Sequence, residues 1–242
     1  MIIGLFLCIL AATANAGPIL SDGSSQKIIG DTHHLNEEHH PEQIFLHSSN
    51  STTINFDDII ATNGVAKIHS PYHNLEFSAF SIIAPNHPAL RGRISENDRN
   101  SAVSAPNALI GSRYHESNRS DDSPASFGMQ SKSKSDSGLL PYFDLLTFWI
   151  KPLDAPPPGT TIHVRGHRYD YDAEKKPLEW HVDFIVGYHE PFLVKIEEFS
   201  GKKWDKLKKV EMWANFGLAK LDWEFCVDDL EVQFYRDEAA EL

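Results

Sequence analysis

The segment Thr161-Ile162-His163-Val164-Arg165-Gly166-His167-Arg168-Tyr169-Asp170-Tyr171 sets side chains capable of chemistry at alternate positions. In an extended backbone neighbouring side chains point to opposite faces, so His163, Arg165, His167, Tyr169 and Tyr171 share one face, opposite Ile162 and Val164. Imidazole, guanidinium and phenol together suit sugar hydroxyls or a sugar carboxylate, because Arg offers a forked donor and aromatic rings stack on apolar sugar faces. The ligand-binding candidates are therefore His163, Arg165, His167 and Tyr169. A polysaccharide lyase could use the same set, Arg neutralising a uronate while Tyr or His moves protons. The outer face of a sheet is polar in any case, and these residues also fit that plainer role. The tryptophans Trp149, Trp180, Trp204, Trp213 and Trp223 would make a stacking platform if exposed, whereas Trp in strands more often fills a core.

No catalytic residue is assigned. There is no Gly-x-Ser-x-Gly elbow, no His-Glu-x-x-His and no Gly-rich phosphate loop, and no spacing singles out a pair of carboxylates for glycoside hydrolysis. The net charge of −12 is spread along the chain, which argues against nucleic acid or an anionic membrane as partner. One basic stretch, Lys202-Lys203-Trp204-Asp205-Lys206-Leu207-Lys208-Lys209, is either a local anion contact or a solvated edge.

The elements that would position these residues have period two. Trp180, Val182, Phe184 and Val186 alternate with polar residues, Val65 to Ile68, Leu75 to Ile83, Leu145 to Lys151, Phe192 to Glu197 and Lys209 to Ala214 read similarly, and the folded part ends with Phe225 to Phe234. Breakers such as Pro156-Pro157-Pro158-Gly159 and Glu190-Pro191 separate them. About eight or more such runs with few helical stretches predict an all-β fold, an antiparallel β-sandwich spanning 53–235.

Other segments fall outside that pattern. An apolar run from Ile2 to Ala12 followed by Ala14-Asn15-Ala16 predicts a cleaved export signal over 1–16, too short for a bilayer crossing of about 20 residues. Residues 17–52 predict a flexible Ser/His-rich extension, whose His33, His34, His39, His40 and His47 lack diagnostic metal spacing. Residues 91–138, dominated by Ser, Asn, Asp and Arg, predict a long disordered insertion, and 236–242 an acidic tail. Of the two cysteines, Cys8 would leave with the signal, so Cys226 is expected as a small buried hydrophobe and the domain to fold without a disulfide. The sequons Asn50-Ser51-Thr52 and Asn118-Arg119-Ser120 fit a secreted glycoprotein.

The opening Ile54-Asn55-Phe56-Asp57-Asp58-Ile59, the segment Tyr72-His73-Asn74-Leu75-Glu76-Phe77, the piece Ser104-Ala105-Pro106-Asn107-Ala108 and the closing Phe225-Cys226-Val227-Asp228-Asp229-Leu230 carry a likeness. Together they resemble secreted, galactose-binding-like jelly-roll proteins of fungi and bacteria. The resemblance implies a jelly roll whose first and last strands are neighbours, bringing Asp57, Asp58, Asp228 and Asp229 near one another as ligands for a structural calcium, which takes six to eight oxygens. Against the metal, Asp at a strand end commonly satisfies turn amides, and adjacent Asp residues on a strand face opposite ways.

The function expected is that of a secreted, monomeric, non-catalytic protein recognising cell-wall or matrix carbohydrate. The alternative is an effector of a plant-associated fungus binding a host protein, and a uronate lyase stands third. Expressed in a eukaryotic host, the protein recovered from the medium is expected to begin at Gly17; N-terminal sequencing that finds Met1 or Ile2 there would overturn the leader.

Overall fold

The computed structural model describes residues 46–48, 50–111, 123–130, 139–154, 156–170, 173–216 and 224–237. In chain order the strands are β1 (Leu46–Ser48), β2 (Thr52–Ile54), β3 (Val65–Lys67), β4 (Leu75–Ser78), β5 (Phe80–Ile83), β6 (Ala108–Gly111), β7 (Ala125–Met129), β8 (Leu139–Pro152), β9 (Thr160–Asp170), β10 (Ala173–Glu174), β11 (Leu178–Phe184), β12 (Phe192–Lys195), β13 (Leu207–Phe216) and β14 (Phe225–Asp237). One short helix, α1 (Ile196–Ser200), follows β12 and ends at Gly201, whose φ of 65° takes the left-handed conformation that glycine adopts without steric cost.

Every strand pairing among the described residues is antiparallel, and hydrogen bonding runs through a single 14-stranded sheet folded over on itself. One layer reads β4-β7-β13-β9-β11, with β10 turning back along the end of β9. The other reads β12-β8-β14-β6-β5-β3, with β2 and β1 pairing β14 further along. The layers join where Leu207 of β13 pairs Phe143 of β8. The expected all-β sandwich is the observed architecture.

Alternation sets the core. Ile162 and Val164 of β9, Val210, Met212 and Ala214 of β13 and Phe127 of β7 face the opposite layer's Phe143, Phe148, Ile150, Val227 and Val232, all buried in one cluster. The Phe127 and Phe143 rings stand 6.0 Å apart, within aromatic contact. Trp204 is wholly buried, its indole N–H donating to Ser200 Oγ at 3.0 Å, so the basic stretch is anchored by its apolar residue rather than offering it to a partner. Cys226 is buried, as expected of a small hydrophobe, and burial pushes its thiol pKa up.

Four boundaries differ from expectation. Strand β11 stops at Phe184, so Ile185 and Val186 are exposed in the turn that Tyr188 closes on the Ile185 carbonyl; Gly187, at φ 74°, permits the reversal. Pairing begins at Leu46, inside the expected extension, and β14 runs through Arg236 and Asp237 of the expected tail, because the two segments pair with each other. The expected disordered insertion 91–138 contains the buried strands β6 and β7. Its average polarity hides two apolar islands, Ala108-Leu109-Ile110 and Ala125-Ser126-Phe127. The leader, residues 17–45, Asn118, Tyr171, Trp223, and 112–122 and 131–138 of the insertion lie outside the described residues.

The first part of that segment has a packing task. The outer side of the second layer carries Ile83, Ala108, Ile110 and Cys226, an apolar face that water would otherwise reach; Leu90, Leu153, Ile94 and Ala102 cover it as a second small core. Polar side chains of the cover turn inward to partners: Asn107 donates to the carbonyls of Phe56 at 2.9 Å and Ile59 at 2.7 Å, while its own backbone N–H donates to Asp57 Oδ1 at 3.1 Å. Replacing Asn107 by Ala orphans both carbonyls, at about 1–3 kcal/mol each. The expected outcome is a lower urea midpoint with an unchanged slope; an unchanged midpoint would remove Asn107 as the anchor of the cover.

Candidate functional site

Strand β9 lies between β11 and β13, and register decides its company. Across β13, Trp213 stands opposite His163, Glu211 opposite Arg165 and Lys209 opposite His167; across β11, His181 stands opposite His163 and Glu179 opposite Arg165. Since paired residues project to the same side, these side chains form one polar field on the outer face of the first layer. Tyr169 pairs Glu174 of β10 through its backbone, and its side chain lies outside the described residues.

The field is tightly knit. The His163 ring lies flat on the Trp213 indole, centroids 5.0 Å apart and planes within 5°, and the Arg165 guanidinium carbon sits 5.0 Å from the same indole's centroid. His181 stacks obliquely on His163 at 5.6 Å. Thus covered, Trp213 is only 9% exposed although its position faces outward, so it is not an open stacking platform. Arg165 Nε donates to Glu179 Oε1 at 3.0 Å, and its other arm reaches Glu211 Oε2 at 3.9 Å. Glu211 also meets His167 Nε2 at 3.0 Å and Lys209 Nζ at 2.8 Å.

The imidazole of His167 and the ammonium of Lys209, both against it, hold the Glu211 carboxyl at about 2 despite a burial cost acting in the opposite direction. Two carboxylates thus offset the cations of the field. Arg165 already has carboxylate neighbours, so a uronate would have to compete with Glu179, which weighs against a lyase. What the arrangement offers is a set of planar donors held in fixed orientation, suited to neutral hydroxyls. Glu211 was not among the candidates read from sequence, and Trp213 was read only as a platform or core tryptophan, although the alternation of 209–214 already put both opposite Val210 and Met212.

The four aspartates do not gather. Asp57 accepts from the Asn107 backbone, Asp58 accepts the Tyr72 hydroxyl, and Asp228 Oδ2 accepts the backbone N–H groups of Val103 at 2.7 Å and Ser104 at 3.0 Å. Asp228 Oδ1 accepts from Asp229 N at 2.8 Å, and Asp229 sits at φ 46°, where β14 slips register against β8. Burial raises the Asp228 carboxyl to about 7, and both its oxygens are already taken by backbone N–H groups. Among the described residues no three metal-binding side chains cluster, and this donor set does not fit calcium. The quoted motifs nevertheless meet: Asp57 and Asp228 both hold the 103–107 piece, while Tyr72 stacks on Phe56 at 5.6 Å and Phe77 meets it edge-on at 5.7 Å. Their role is to fasten the cover.

A groove of about 390 Å³ opens beside β8 and α1, lined by Asp144, Thr147, Glu197, Glu198 and Lys203 above Trp204. Asp144 is committed to structure: it accepts from Lys206 N at 2.9 Å and from the Tyr235 hydroxyl at 3.0 Å, and burial raises its pKa. A lone acid inside Phe143-Asp144-Leu145 was a sequence signal for this peg.

No family model matches the chain, and no curated protein matches it. Among solved structures, a DUF4465 family protein from Bacteroides caccae ATCC 43185 is similar over 76% of this chain and 99% of its own, at 12% identity and a TM-score of 0.44. Among the described residues no helix is long and apolar enough to cross a membrane.

The Glu211 network has a pH signature. Because its folded pKa lies below the unfolded carboxylate value, its contribution is full above about 4.5 and is lost as pH falls toward about 2. Glu211→Gln is expected to cost at most about 3 kcal/mol at pH 7 and to flatten the stability profile across that acid window. Denaturant midpoints measured from pH 2 to 7 test it, and parallel profiles for the two proteins would refute the assignment.

Proposed function

We propose that this chain is a secreted, non-catalytic binding protein that recognises carbohydrate through the outer face of β9, β11 and β13. Its likeness to galactose-binding-like jelly rolls belongs to the same proposal. The observation that carries the reading is the stack of His163, Trp213 and Arg165, steadied by Glu179 and Glu211. Side chains already ordered by neighbours lose little entropy when a ligand arrives, so each donor offered to a sugar hydroxyl retains more of its interaction energy. A polar face of this kind is compatible with modest affinity for a repeating polymer, where many weak contacts add through avidity.

A second reading, a host-protein partner, is supported by the far edge. There β11 and β12 each pair on one side only among the described residues, and Trp180, Phe199, Phe192, Phe184 and Tyr188 form a chain of ring contacts beside the exposed Ile185 and Val186. Exposed apolar side chains grouped at an edge suit a protein surface better than a polysaccharide.

Sedimentation with insoluble glucan, chitin, cellulose and pectin separates the two. Retention on at least one polymer is expected, falling about tenfold or more in a His163→Ala, Arg165→Ala double variant that keeps its unfolding midpoint. Absence of retention on every polymer would remove the carbohydrate reading and leave the edge as the surface to pursue.

A further inference from the structure

Beneath the cover of the second layer, three groups meet that ordinary packing rarely assembles. Lys151 projects from β8 into the small second core, its side chain 1% exposed. Its ammonium donates to the side-chain oxygen of Asn100 at 2.5 Å and to the carbonyl of Asn97, and stands 3.2 Å from Asp98 Oδ1, a carboxylate whose side chain is 6% exposed. Asp98 Oδ2 accepts from Asp154 N at 3.0 Å, which fixes the carboxylate's orientation. The amide nitrogen of Asn100 points the other way, donating to the His189 carbonyl at 3.2 Å and to Glu190 Oε2 at 3.1 Å. Leu153 and Cys226 belong to the apolar cluster around them. A primary amine, a carboxamide and a carboxyl group are the complete set for transamidation, the amine and the carboxyl group buried and the carboxamide half-buried above them.

We propose that Lys151 and Asn100 join in an intramolecular isopeptide bond, with Asp98 as the proton carrier. Asp98 takes a proton from the Lys151 ammonium, and the freed lone pair adds to Asn100 Cγ, forming the Nζ–Cγ bond while the carbonyl electrons move onto the oxygen. As those electrons return, the Cγ–Nδ2 bond breaks; Asp98 and the former amine supply the protons, and the nitrogen departs as ammonium. One lysine ammonium and one carboxamide become one secondary amide and one ammonium ion, with no oxidant, reductant or cofactor. Burial favours the step twice: it desolvates the amine, making it a better nucleophile, and it fixes both reactants at high effective concentration. The amide nitrogen of Asn100 already faces Glu190, whose side chain is 63% exposed, so the released ammonium leaves on that side. The bond would tie the cover to β8 covalently in a domain whose described cysteine, Cys226, is buried and free.

The test uses the full chain as purified. Tryptic digestion and tandem mass spectrometry are expected to show a branched peptide in which segment 100–113 is carried on Lys151, lighter than its two parts by one ammonia. The branch should vanish in Lys151→Met and in Asn100→Ala, and fall at least tenfold in Asp98→Ala. Only linear peptides from folded wild-type protein would overturn the proposal, whatever the variants do. Loss of ammonia at Asn100 without a branch, as in succinimide formation, would overturn it equally. An undiminished branch in Asp98→Ala would strike Asp98 from the step.

Discussion

Strand β14 is hydrogen-bonded on both edges and covered on both faces, and most of the architecture answers to that constraint. Phe225, Cys226, Val227 and Asp228 are buried in succession, which a half-exposed strand does not allow. Phe225 and Val227 belong to the core between the layers, whereas Cys226 belongs to the second core outside them. A second cover is therefore obligatory, and residues 84–107 provide it. The carboxyl of Asp228, drawn into the same low-dielectric space, is tolerated because backbone N–H groups of the cover approach it.

The cover is held by polar pegs as well as by its apolar contacts. Asn107 and Asp57 connect it to the turn after β2, and Asp228 and the Lys151–Asp98 pair connect it to β14 and β8, all far away in sequence. Buried ion pairs add little net stability over an apolar replacement, yet losing one partner costs about 3–5 kcal/mol. Such contacts select one arrangement of a segment whose composition alone would leave it many.

The opposite outer face follows a different economy. There Arg165, His167, Lys209, Glu179 and Glu211 balance one another around a covered indole, at the edge of water rather than beneath a lid. The cations beside Glu211 drive its carboxyl deeper into the ionised form.

Much of this was legible in the residues. Period-two alternation located the strands around Ile162, Phe148 and Val210, because a sheet with one dry face selects every second residue regardless of its partner. The outward set His163, Arg165 and His167 followed from the same parity. The aspartates were legible as anchors for something, but not for what: whether a carboxylate meets calcium or a backbone N–H depends on which segment register brings beside it, and Val103 lies far from Asp228 along the chain. The insertion misled because composition averages over Asn107 and Asp98, which are polar and buried together. The amino-acid order determined which face each residue would show. Only the folded arrangement decided which faces would meet, since hydrogen bonds between distant strands are set by pairing and closure, and no local pattern encodes them.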